Sequence, residues 1–243
     1  MMSALLAGRW QDALRVTNEL VEFASAVDER LAFAYAPNQR LPDFLRGVAA
    51  SETAAATVAA LPARIELRAL LIIALLDEGR AEEARDEWQR ARPMGIENEP
   101  ADGRWLVHMS NLARIAADLA EHDLAQRLYH RLLPLAEWNA ILGTIYTAAP
   151  FGAVARPLGL LATALGLWKE AELHFQNAAR LHRQWNARPW LASTLHDHSR
   201  MRLQRGRPGD REAARTMLRE ALALADDLEM PNLEERARAL TKS

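Results

Sequence analysis

Small and large apolar residues recur along this chain at fixed offsets. In GLLATALGLWKEAELHFQNA, residues Gly159, Gly166, Ala171, Phe175 and Ala178 stand at offsets 0, 7, 12, 16 and 19. Small residues at that spacing let two helices approach closely in an antiparallel hairpin, and the large residue one turn later fills the gap beside them. Gly79, Ala84, Trp88 and Ala91 repeat the last four offsets. Gly8 and Ala13 begin the same turn near the N-terminus. Gly206 begins it again, Pro208, Gly209 and Asp210 lengthen that turn, and Ala214, Leu218 and Ala221 resume the spacing. A weaker copy carries Ala125 and Tyr129, with His122 and Asp123 in place of the turn glycine. The pattern predicts helices near 9–26, 28–36, 42–60, 62–78, 80–92, 102–120, 122–136, 151–166, 168–184, 188–206, 210–228 and 231–241. Prolines at 37, 42, 62, 93, 100, 150, 189 and 231 sit at or beside the joins, where a helix tolerates them. The stretch 137–150 (EWNAILGTIYTAAP) is the least helical and reads as a long ordered connection between two sub-arrays.

Composition sharpens this to an all-α fold. The 243 residues include 47 Ala and 38 Leu, both strong helix formers, against only 23 Val, Ile and Thr together. The expected architecture is one domain over 1–243, a right-handed superhelix of about six stacked hairpins. Only seven residues precede Gly8, so the first hairpin is incomplete. A repeat array normally starts with a complete hairpin bearing a polar outer face. The expectation is a fragment of a longer protein, or a partner or second copy covering that edge. With no Cys there is no disulfide, thiolate metal site or cysteine nucleophile. The longest apolar run, 69–76, is eight residues against the roughly 20 of a membrane span. No secretory signal is visible, and the expected location is cytoplasmic.

Charge is uneven: residues 1–100 carry net −5, 101–179 net −1 and 180–243 net +4. Residues 180–220 hold ten Arg against four acids. Arg200, Arg207, Arg211 and Arg215 are therefore candidates for a surface that meets an anionic partner. A solvated face in an Arg-biased chain explains the same residues more simply, and the total charge of −2 does not favour nucleic acid. His196, Asp197 and His198 form an HDH triplet. Successive helical residues diverge by about 100°, so surface polarity is preferred to a metal site. Glu170 and His174, four apart, read as an exposed pair. No catalytic, cofactor or metal residues are assigned. Trp105, His108, Asn111 and Arg114 form a polar and aromatic set on one helix, taken as contacts of a ligand or peptide groove.

The offsets are those of the tetratricopeptide repeat. The stretch from Leu128 to Leu240 further resembles the C-terminal helical repeats of bacterial LuxR-type regulators and of AAA-type ATPases, some fused to adenylate cyclase domains. The phrases that carry this are LYHRLLPLAEW, RPLGLLATALGLWKEAELHF, ARPWLASTL, RGRPGDREAA and ALALADDLEMPNLEERARAL. The resemblance implies a sensor or protein-contact arm beside a nucleotide-binding domain. This chain carries no phosphate-loop motif, so nucleotide hydrolysis is not implied for it. The expected function is a non-enzymatic repeat module, without cofactor, that binds a protein partner or small effector in signal transduction or transcriptional regulation. The alternatives are a fragment whose catalytic and DNA-binding parts lie outside this chain, and a DNA-linked regulator acting through the Arg-rich surface.

Overall fold

The computed structural model describes residues 1–27, 39, 41–60, 66–95, 103–143 and 148–242. The chain is mostly helical. Among the described residues the helices are α1 (Met2–Ala7), α2 (Trp10–Val27), α3 (Leu41–Arg46), α4 (Ala50–Ala60), α5 (Glu66–Asp77), α6 (Ala81–Ala91), α7 (Trp105–Asp118) and α8 (His122–Leu132). Strands β1 (Asn139–Gly143) and β2 (Ala148–Ala153) follow. The chain ends in α9 (Ala155–Ala164), α10 (Trp168–Gln184), α11 (Arg188–Arg205), α12 (Asp210–Asp227) and α13 (Pro231–Thr241). None of these helices is long and apolar enough to cross a membrane. The helix expected at 28–36 lies outside the described residues.

Helices α5/α6, α7/α8, α9/α10 and α11/α12 pack as pairs, each joined by a short turn. The repeat positions sit where the two members of a pair meet. Ala84, Ala125, Ala171, Ala178 and Ala214 are fully buried, as is Phe175. A methyl on Gly159 would lie 2.8 Å from the Phe175 ring, so only hydrogen fits there. Five turns, within and between pairs, share one bonding pattern that the Gly206 turn does not. Arg80, Glu121, Leu167, Ala187 and Met230 each donate their N–H to the carbonyl five residues back, at 2.7–2.9 Å. The residue before each of them has positive φ: Gly79, Ala120, Gly166, Asn186 and Glu229. This is the Schellman closure, which satisfies orphan helix carbonyls. In the weak copy the turn residue is therefore Ala120, not His122 or Asp123.

Two expected elements differ. The helix expected over 42–60 is split, because Gly47 and Ala49 both take positive φ and separate α3 from α4. The connection at 137–150 folds into an antiparallel pair, β1 with β2, in which Leu142 faces Ala149. Pro150 lies in this two-stranded ribbon, where a residue without an N–H is tolerated. The ribbon touches α7 through β1 and α1, α9 and α10 through β2. Gly152, at φ +86°, lies under Trp190, and a Cβ there would come within 2.3 Å of the indole. His182 pins the ribbon from below. Its Nε2 accepts the Ala153 N–H at 2.8 Å, and its Nδ1 lies 3.0 Å from Thr194 Oγ1. Burial, helped by Arg156, pushes its pKa down to about 3, so the ring is neutral.

The first helices of the pairs line up in sequence. Helix α5 touches α7, α7 touches α9, α9 touches α11 and α11 touches α13; α13 then touches α5. The N-terminal helices fall onto the same closure. The Trp10 indole donates to the Leu228 carbonyl at 2.8 Å, and Arg46 donates to the Glu229 carboxylate at 2.6 Å. Helix α1 lies on β2 and α11. Helix α1 and the start of α2 thus pack on this chain's own C-terminal helices, while Phe23 and Val27 farther along α2 stay exposed.

Candidate functional site

The closed circuit of first helices surrounds a cavity of about 130 Å³. Each of the five supplies a polar group: Asp77 from α5, Arg114 from α7, Arg156 from α9, Ser193 from α11 and Arg236 from α13. Helix α3 adds Phe44 and Arg46 to the lining, and β2 adds Phe151. Trp190, Leu160 and Leu233 add apolar lining.

The charged groups form a continuous network. Asp77 accepts from Arg114 at 3.1 Å and pairs with Arg236 at 2.8 Å. Arg114 Nε also reaches Asp118, whose other oxygen lies 2.8 Å from Arg200. Arg156 Nε donates to one oxygen of Asp197 at 2.9 Å, and Nη2 lies 2.8 Å from the same oxygen. Asp197 Oδ1 lies 3.0 Å from His196 Nδ1. Burial opposes the charge of Asp77, but Arg114 and Arg236 outweigh it and bring its pKa down to about 2. Burial likewise opposes Asp197, yet Arg156 and the His196 bond hold it well below the usual carboxylate range. His196 is lowered by burial against the pull of Asp197. Arg236 is pushed below its usual value by burial, which Asp77 opposes and the positive charges of Arg114 and Arg156 reinforce.

The structure divides the groove set. Asn111 and Arg114 line the cavity. Trp105 and His108 do not: Trp105 lies under the Arg131 guanidinium, 5.0 Å from its ring centre, and His108 is buried. Steps of three residues rotate about 60° around a helix, so Trp105 and Arg114 fall on opposite sides. The Arg-rich set is divided too. Arg207, Arg211 and Arg215 are exposed on the last helical pair. Arg200 points inward to Asp118 and does not share that surface. Around it the arginines are largely matched by acids on neighbouring elements: Arg180 with Glu137, Arg183 with Glu220, Arg188 with Asp227, Arg202 with Glu172, and Arg205 with Asp210.

The HDH triplet is not at the surface. His196, Asp197 and His198 are all 5% exposed or less, because α11 is covered by α9, α10, α12 and α13. His196 turns to Asp197, whereas His198 stacks on Phe175 and meets Glu172 at 3.0 Å. His174 is half-buried and lies 3.1 Å from the Tyr129 hydroxyl, while Glu170 is exposed. Asp77, Arg156, Asn232 and Arg236 escaped the sequence reading. A signal exists for one of them. Asp77 and Asp118 both stand two residues before a positive-φ turn residue, Gly79 and Ala120, so they occupy equivalent repeat positions. No protein-family model matches the chain, and no curated protein matches it.

Proposed function

We propose that this chain is a tetratricopeptide-like α-solenoid module, one right-handed superhelical domain, that binds a small effector between its first helices. The bound effector then sets how the module contacts a regulatory partner in bacterial signal transduction or transcription. The observation that supports this is convergence: five first helices each bring a polar side chain to one cavity, and α3 adds to its lining. Structural helix packing does not need charged groups there, since burying them costs several kcal/mol per ion before pairing repays it. The contact between α13 and α5 and the volume of about 130 Å³ leave room for a small molecule and not for a peptide helix. The resemblance to repeat arms of LuxR-type and ATPase-linked regulators suits such a sensor and supports an accompanying ATPase or cyclase outside this chain. The paired arginines of 180–205 weigh against the DNA-linked alternative.

Ser193 is half-buried at the cavity wall, and Ser193→Trp fills the space. A panel of small metabolites of mixed charge is screened by thermal shift against both proteins. A true effector at about 100 times its Kd raises the wild-type melting temperature by roughly 5–10 °C and leaves S193W unmoved. A panel in which no compound separates the two proteins removes this function.

A further inference from the structure

Resting on that cavity as a ligand site, we infer that its ligand is a small monocarboxylate with an apolar body. The carboxylate that lines the cavity is spent, and donors remain. Both oxygens of Asp77 already serve guanidinium groups: Oδ1 meets Arg114 and Arg236, and Oδ2 meets Arg114. Asp197 and Asp118 stand behind the wall and are engaged by Arg156, Arg114 and Arg200. Among the described residues of this network, four arginines (Arg114, Arg156, Arg200 and Arg236) share three carboxylates. His196 lies beside them with its pKa lowered by burial. One positive charge is left over.

A donor is left over as well. Asn232 Nδ2 is buried at the cavity lining and has no hydrogen-bond partner, so an amide N–H pair there is desolvated without compensation. A ligand that restores balance must accept hydrogen bonds and carry one negative charge. A carboxylate does both, and its planar two-oxygen edge matches the guanidinium fork. A phosphate dianion would overshoot the single surplus charge. Between these polar groups the lining includes Phe44, Phe151, Trp190, Leu160 and Leu233, which give an attached ring or short alkyl chain an apolar seat.

The test measures binding of phenylacetate and hexanoate by calorimetry on the full chain, beside phenylacetamide, hexanamide, phenethylamine and inorganic phosphate. The carboxylates should bind about tenfold or more tightly than their amides, and phenethylamine should not bind. Arg236→Gln removes the surplus charge while Asp77 keeps Arg114, and should weaken carboxylate binding about tenfold with the amides unchanged. Asn232→Ala, which leaves every ion pair in place, should weaken carboxylates by a smaller factor and serves if R236Q fails to fold. The inference is overturned if amides bind as well as carboxylates, if phosphate alone binds, if no carboxylate binds, or if both variants bind carboxylates as the wild type does. Amides that bind wild type and not S193W would leave the effector cavity standing and remove only its charge preference.

Discussion

Along α10 the buried residues Ala171, Phe175, Ala178, Ala179, Leu181 and His182 form one stripe at helical spacing. Along its neighbour α11, eleven of eighteen residues are buried, and Thr194, His196, Asp197, His198 and Ser199 are among them. The two helices are similar in length and lie side by side. The difference is position. Second helices such as α6, α8, α10 and α12 have one side in water, so their sequences are amphipathic. Helix α11 is covered by α9, α10, α12 and α13, so its polar residues cannot mark an outside. In a second helix most charges mark solvent, Glu87 and Asp210 being buried exceptions; in α11 the central ones mark a partner group inside.

The comparison breaks or holds on truncating one buried group from each layer. Phe175→Ala empties a fully buried apolar seam and should cost about 3–5 kcal/mol. Asp197→Leu leaves the Arg156 guanidinium without its carboxylate and should cost a similar 3–5 kcal/mol. The two losses differ in rescue. Adding Arg156→Leu to Asp197→Leu removes the unpaired charge and should restore most of the stability, because a buried ion pair is replaceable by apolar residues of like volume. Second-site changes offer no such return for Phe175→Ala, whose missing contacts are dispersion and burial. Urea denaturation of the three variants measures this. A double variant no more stable than Asp197→Leu would mean that the inner layer is held by shape rather than by charge balance.

The same contrast predicts acid sensitivity in the inner layer. Asp77 titrates at about 2 in the folded chain against a usual 3.8. A depressed carboxylate contributes stability that is complete above the unfolded value and is lost as pH falls toward the folded one. The contribution is about 2 kcal/mol above pH 4 and vanishes near pH 2. The stability gap between wild type and Asp77→Asn should therefore be widest from pH 5 to 7 and close by pH 2. Phe175→Ala carries no titrating group, so its gap should stay constant over that range. Parallel acid limbs for wild type and D77N would sink the assignment.

These layers also explain what the sequence made legible. The outer stripe was readable because small and aromatic residues at offsets 5, 9 and 12 from a turn can only be packing. The inner wall was not, because its side chains converge from five helices that are 37 residues or more apart in pairs such as Asp77 and Arg114. Asn111 and Arg114 fell in the cavity while Trp105 and His108 did not, since a three-residue step drifts around the helix. The HDH triplet was misplaced at the surface because polarity alone says nothing about a helix covered on both sides. The β1–β2 ribbon had a local signal, Ile141, Thr144, Ile145 and Thr147 within 137–150, that the helix-rich composition of the whole chain masks; Gly152 beneath Trp190 and the His182 bond set its place.

The turns between the layers belong to neither principle and supply the smallest effect. Gly79 and Ala120 occupy the same turn position, at φ 73° and 60°. Left-handed backbone costs a residue with a Cβ about 1–2 kcal/mol, and glycine escapes that cost. Glycine gives back about 0.5–1 kcal/mol through the freedom of its unfolded chain. Ala120→Gly should therefore stabilise by about 0.5–1 kcal/mol, seen as a rise of a few degrees in melting temperature. Gly79→Ala should cost about the same, because a Cβ at Gly79 meets no atom within 4 Å and only the backbone term acts. Equal and opposite shifts would show that the turn is a local joint, independent of both layers. If Ala120→Gly destabilised the chain instead, the Ala120 methyl would be part of the packing, and the border between the outer seam and its turns would have to be redrawn.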